Sequence, residues 1–128
     1  MQDHGGSEAA PESPGGWRRL VAATRYSFAG LDAAVRHEAA FRQELGAAGV
    51  LIPLAFLLPA SGSGRALMVA SVVLVLIVEL VNSAIEAAVD HASLEPHPLA
   101  GRAKDYGSAA VLLALVQAVA IWVLVLWA

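Results

Sequence analysis

The stretch VLIVELVNSAIEAAVD, residues 75–90, is apolar enough for a membrane interior, yet it carries Glu79, Asn82, Glu86 and Asp90. Read as a helix at about 100° per residue, these four side chains fall within about 80° of arc. Glu79 and Glu86 then stand roughly 10 Å apart along the axis, at about 1.5 Å per residue. A charged carboxylate at the bilayer centre costs about 2.5–3.5 kcal/mol on insertion scales, and ionisable groups inside spans mark function by default. The competing explanation is a polar seam that glues helices together, a role that suits Asn82 and Ser83. An aligned set of three acids favours function.

The rest of the chain supports a membrane setting. Of its 128 residues, 58% are hydrophobic and only 15% charged, against about 45–50% and about 25% in ordinary soluble domains. A net charge of -3 gives no bulk basic character of the kind that binds nucleic acid. Cysteine is absent, which excludes disulfides, thiolate metal sites and a cysteine nucleophile. The four histidines show no metal-ligand spacing.

Three apolar stretches predict three spans, at about 42–60, 66–90 and 107–128, with SGSG (61–64) as the first loop. A spanning helix needs about 20 mostly apolar residues. The third stretch has no charged residue, and the first is interrupted by Pro53 and Pro59. Upstream, Trp17, Leu20, Val21, Thr24, Phe28, Leu31 and Val35 recur at helical spacing among Arg18, Arg19, Arg25 and Arg36. That pattern predicts an amphipathic helix over about 17–40, suited to a membrane surface; packing on a soluble core is the alternative. Residues 1–16 are rich in Gly, Pro, Ser and acids and read as a disordered tail, not a signal peptide. Residues 17–128 form a single membrane-embedded domain in this reading. Five Lys or Arg residues precede the first span, one lies in the first loop and two in the second. The positive-inside rule places the N-terminus and loop 91–106 in the cytoplasm and the C-terminus outside. Trp122 and Trp127 fit an outer aromatic anchor, or simple packing.

Acids at a cytoplasmic membrane edge suit particular chemistry. One or two carboxylates hold Mg²⁺ when substrate phosphates complete its shell. A deeper carboxylate can act as a general base. Segment 94–108, LEPHPLAGRAKDYGS, adds Glu95, His97, Arg102, Lys104 and Asp105, and EAAFRQE (38–44) adds Glu38, Arg42 and Glu44. Glu38 and Arg42, four apart, also read as a plain ion pair. Together these groups point to phosphoryl transfer to a lipid. No P-loop or protein-kinase signature is present.

EAAFRQE, VELVNSAIEAAVD (78–90) and GRAKDYGSAAVLLA (101–114) closely resemble the bacterial integral-membrane diacylglycerol kinase family. The resemblance covers about residues 17–127. It implies an all-α membrane protein of the bacterial inner membrane, with three spans and a surface helix, assembled as a homotrimer with sites shared between subunits. It implies transfer of the γ-phosphoryl group of Mg-ATP to diacylglycerol, giving phosphatidic acid. By motif, Glu79 resembles the family's general base, Asn82 its polar partner, and Glu38 and Glu86 the Mg²⁺ acids. Lys104 matches the phosphate-binding lysine and a catalytic role. Arg19, Tyr26, Glu38, Glu86, Glu95, Pro96, His97, Lys104 and Asp105 match nucleotide-contacting positions. The lipid would meet Arg19, Ala23, Thr24, Ser27, Phe28, Ala40, Phe41, Arg42, Gln43, Glu44, Glu79, Ser108 and Trp122.

Pro96 and Pro98 depart from the family pattern, and Pro96 has no N–H to offer a nucleotide. The residues taken alone leave His97 as a solvated loop side chain. Two other functions fit in part. An undecaprenol kinase of the same family would keep every catalytic residue. A small proton-coupled transporter or channel subunit would need acids near the midplane, but not acids and bases gathered at one edge.

Overall fold

A computed structural model of the chain describes residues 15–92 and 95–128. The tail expected over 1–16 lies outside the described residues, apart from its last two. Among the described residues the chain is all-helical, with four helices: α1 (Gly16–His37), α2 (Ala39–Leu57), α3 (Gly62–Ala92) and α4 (Pro98–Trp127). Helices α2, α3 and α4 are each long and apolar enough to cross a membrane. Of the described residues, those up to Asp32 form one compact unit and those from Ala33 onward a second.

Within α1, the exposed Thr24 and Ser27 hydroxyls donate back to the Leu20 and Ala23 carbonyls, both at 2.8 Å. The helix ends at His37, and Glu38, with an extended backbone (φ -114, ψ 104), is the N-cap of α2. Arg42 does not pair with Glu38. Its Nη1 donates to the carbonyls of Val35 (2.9 Å) and Arg36 (3.2 Å). The last turn of a helix leaves carbonyls without partners, and a guanidinium that reaches two of them satisfies both.

Pro59 has no N–H, so it cannot bond the Ala55 carbonyl four residues earlier. Arg65 supplies the missing donor: Nε bonds Ala55 O at 2.9 Å, and Nη2 reaches Leu58 O at 3.3 Å. Arg65, which the structure places in the first turn of α3, is thereby a cap for α2. Arg65→Ala leaves a carbonyl unpartnered, and a buried group in that state costs about 1–3 kcal/mol. Denaturant unfolding in mixed micelles should show a loss of that size, with Arg65→Lys recovering only part of it.

Three helix starts differ from the sequence expectation. Helix α2 begins at Ala39 rather than about 42. Helix α3 begins at Gly62, inside the stretch read as a loop, because Ser61 Oγ accepts from Gly64 N at 3.0 Å and caps it. Helix α4 begins at Pro98, well before 107. His97 is its cap, Nδ1 accepting from Leu99 N at 3.1 Å, and Pro98 has the φ of a first helical residue. Most of the predicted 91–106 loop is therefore helix, and Arg102, Lys104 and Asp105 ride on its first turns.

Helix α3 packs on both α2 and α4. Its buried residues, Gly64, Met68, Ser71, Val72, Val75, Glu79 and Asn82, follow one stripe at three- and four-residue steps. The polar pair thus continues the packing seam of α3. Facing helices meet that seam with mostly small residues at seven-residue steps: Phe41, Ala48 and Ala55 on α2, Gly107 and Ala114 on α4. A Cβ on Gly64 would stand 2.8 Å from Val125 Cγ1, and Trp122 Nε1 donates to Met68 O at 3.2 Å. With Asn82 against Gly107, these contacts make α3 and α4 antiparallel. Large apolar side chains remain exposed along α4, among them Leu113, Val119 and Leu124. Such a surface belongs against lipid or another chain, since soluble monomers rarely expose a wide apolar face.

Candidate active site

Glu79 is only 5% exposed. Helix α3 carries it into the seam, and α2 brings Glu44 near enough for the two carboxyl groups to interact. Glu44 Oε2 is buried without a hydrogen-bond partner among the described residues. Glu38 and Glu86 lie within electrostatic reach of Glu79. Acids gathered from α2, α3 and the cap between α1 and α2 oppose one another electrostatically, so packing does not explain them. They suit proton transfer and cation binding.

One helical turn from Glu79, Asn82 Nδ2 donates to Glu86 Oε1 at 3.3 Å. A carboxylate only accepts, which fixes the amide with nitrogen toward Glu86. Asn82 Oδ1 is buried and has no hydrogen-bond partner among the described residues.

A second cluster forms where α3 leaves off and α4 begins. Lys104 Nζ is paired with Asp90 Oδ1 at 2.6 Å, with both side chains partly exposed. Beside the pair is an open cavity of about 600 Å³ lined by Glu95, Pro96, His97 and Gly101, among others. Since His97 uses Nδ1 to cap α4, its Nε2 is the nitrogen left to meet a ligand. Asp90, read from sequence as the end of the acidic stripe, is instead the partner of Lys104. Lys104 also lies within electrostatic reach of Glu86, which links the cavity to the acids around Glu79.

Among the described residues, no three His, Asp or Glu side chains converge as a closed metal site. Mg²⁺ in phosphate-transfer sites uses one or two carboxylates and leaves the rest of its shell to phosphates and water. Glu38 and Glu86, both hard oxygen donors, fit that chemistry.

The structure therefore brings together Glu38, Glu44, Glu79, Asn82 and Glu86, and separately Glu95, Pro96, His97 and Lys104 around the cavity. Asp105 and Ser108 are exposed and do not line it. Ala40 and Gln43 are exposed on α2. Phe41, expected to meet lipid, is 2% exposed and packs in the core, where its large ring fills the seam between α2 and α3. Trp122 is half-buried and tied to α3 by its indole N–H. Arg19, Ala23, Thr24, Ser27, Tyr26 and Phe28 are exposed on α1. Sequence reasoning missed the contact of Glu44 with Glu79, the pairing of Asp90 with Lys104 and the space at Gly107, because each joins different helices.

Three membrane-length helices with carboxylates gathered around a buried Glu79, beside a lysine-bearing cavity, define an integral-membrane protein with a polar, acid-rich site. Comparison makes this specific. The chain is 56% identical over 111 residues to diacylglycerol kinase of Pseudomonas aeruginosa, covering 87% of this chain and 90% of that protein. It is 50% identical over 112 residues to the Escherichia coli K12 diacylglycerol kinase, covering 88% and 92%. For the Haemophilus influenzae diacylglycerol kinase the figures are 46% over 107 residues, 84% and 91%. The model of the prokaryotic diacylglycerol kinase family matches residues 25–126. The chain belongs to that family.

Proposed function

We propose that the chain is an ATP-dependent diacylglycerol kinase, moving the γ-phosphoryl group of ATP to the free hydroxyl of diacylglycerol to give phosphatidic acid and ADP. The observation that carries this reading is the buried Glu79 with other carboxylates gathered around it, within a chain that belongs to this family.

Glu79 takes the proton of the lipid hydroxyl as its oxygen attacks the γ-phosphorus and the bond to the ADP oxygen breaks. Glu44, against Glu79, holds that carboxyl in position. Asn82 steadies Glu86 through its amide nitrogen. Lys104 exchanges Asp90 for the transferring phosphoryl group and offsets its charge. Glu95, Pro96, His97 and Asp105 belong to the nucleotide site, and His97 contributes Nε2. Glu38 and Glu86 would hold Mg²⁺, which would offset the negative charge of the nucleotide phosphates. Rate then comes from positioning and electrostatics.

Helix α1 is the membrane-surface helix in this reading. Arg19 and Tyr26 contact nucleotide and headgroup, and Ala23, Thr24, Ser27 and Phe28 contact the lipid, as do Ala40, Arg42, Gln43, Ser108 and Trp122. The protein is a homotrimer of the inner membrane, with its N-terminus and the α3–α4 connection cytoplasmic and its C-terminus outward. The exposed apolar face of α4 and the charge distribution support this arrangement.

The test offers diacylglycerol and undecaprenol separately to purified protein in mixed micelles with Mg²⁺ and γ-labelled ATP. Label should enter phosphatidic acid. Label confined to undecaprenyl phosphate would keep the machinery and overturn the acceptor.

A further inference from the structure

A Cβ built on Gly107 would overlap Asn82 Oδ1 and stand 3.2 Å from Asn82 Cγ. No real side chain tolerates such an overlap, so something must move if that position carries one. Gly107 is buried on α4, directly across the seam from Asn82 on α3. Its backbone is helical, with no positive φ. Conformational freedom is therefore not the reason for glycine here; the reason is space.

That space has a defined occupant. Asn82 is 8% exposed, with Nδ2 on Glu86 Oε1. Turning the nitrogen toward Glu86 leaves Oδ1 to face α4, where it has no hydrogen-bond partner among the described residues. Glycine is the one residue whose α-hydrogen alone occupies the Cβ direction, so the oxygen can sit against it. If Gly107 gains a methyl group, Oδ1 must leave, and the planar amide swings its nitrogen off Glu86 with it.

We infer that Gly107 is a positioning residue for the phosphoryl-transfer site: its missing side chain leaves the room in which Asn82 holds Glu86. The inference rests on the proposed role of Glu86 in holding Mg²⁺. Gly107 acts through Asn82, against which it packs.

Two readouts on the full-length protein in mixed micelles test it. The first is thermal stability across Gly107→Ala, Asn82→Ala and the double variant. Gly107→Ala should lower Tm, and adding Asn82→Ala should recover most of that loss, because the methyl group then has room. If Gly107→Ala alone fails to fold, the double variant should still fold. The second is the Mg²⁺ concentration for half-maximal transfer. Gly107→Ala should raise it roughly ten-fold, the lower end of what losing a partner of a metal ligand typically costs. Loss of Tm without recovery by Asn82→Ala, or an unchanged Mg²⁺ requirement with Tm recovered, would overturn the inference. Glu86→Gln, run alongside, isolates the underlying reading. An unchanged Mg²⁺ requirement in that variant overturns the metal role of Glu86, while the Tm comparison still judges the steric coupling of Gly107 to Asn82.

Discussion

Glu79→Gln lowers kcat for phosphoryl transfer to diacylglycerol by about 10²–10⁴-fold, the range a positioned general base contributes. Gln keeps the size and one acceptor oxygen of Glu but cannot take the lipid proton. The variant should stay folded and assembled, because Glu79 is packed beside another acid rather than ion-paired: its near neighbours are Glu44, Glu38 and Glu86. Removing one like charge from that group relieves repulsion. Measured Tm in micelles should therefore hold or rise while turnover collapses. That combination separates a catalytic carboxylate from a helix-gluing one, for which both quantities would fall together.

The second large effect is at Lys104. Lys104→Met should lower kcat/KM by about 10²–10³-fold, comparable to removing one group that stabilises charge in a transition state. The structure adds a contrast. Lys104 is held by Asp90 at 2.6 Å, so the two must separate when a phosphate takes the ammonium. Asp90→Asn should therefore change the KM for ATP far more than kcat, and in the favourable direction. Steady-state kinetics at saturating diacylglycerol distinguishes the two substitutions. A loss from Asp90→Asn as deep as that from Lys104→Met would instead make the ion pair itself part of the catalytic arrangement.

Much of this architecture was legible in residue patterns. The three apolar stretches became three membrane-length helices, and the stripe of Glu79, Asn82 and Glu86 lies on one side of α3 as its spacing required. Helix boundaries were less legible because unusual residues set them. A histidine capping α4 through Nδ1 is outside the usual Ser, Thr, Asp and Asn set. The glycines of SGSG suggested a loop, yet Ser61 starts a helix there. The family resemblance implies a lipid contact for Phe41, which is buried instead. It shares a seven-residue spacing with Ala48 and Ala55, and that spacing is the signal that placed it inside.

What no single stretch encodes is pairing between helices. Glu44 and Glu79 are 35 positions apart in the chain, and nothing in either segment says they touch. Gly107 sits in a segment whose charged neighbours draw the eye, while its own contribution is an absent side chain. Arg65, read only as a topology signal, also closes a hydrogen-bonding gap that Pro59 opens. In each case the sequence supplies the chemical group, and packing decides what it meets.

The central claim is that the carboxylates around Glu79 serve phosphoryl transfer to a lipid hydroxyl. The most direct test incubates purified full-length protein with γ-labelled ATP, Mg²⁺ and diacylglycerol in mixed micelles, beside a folded Glu79→Gln control. The account predicts label in phosphatidic acid from the native protein and a near-complete loss in the control. Equal labelling from both proteins would contradict it, because the buried carboxylate would then have no part in the reaction.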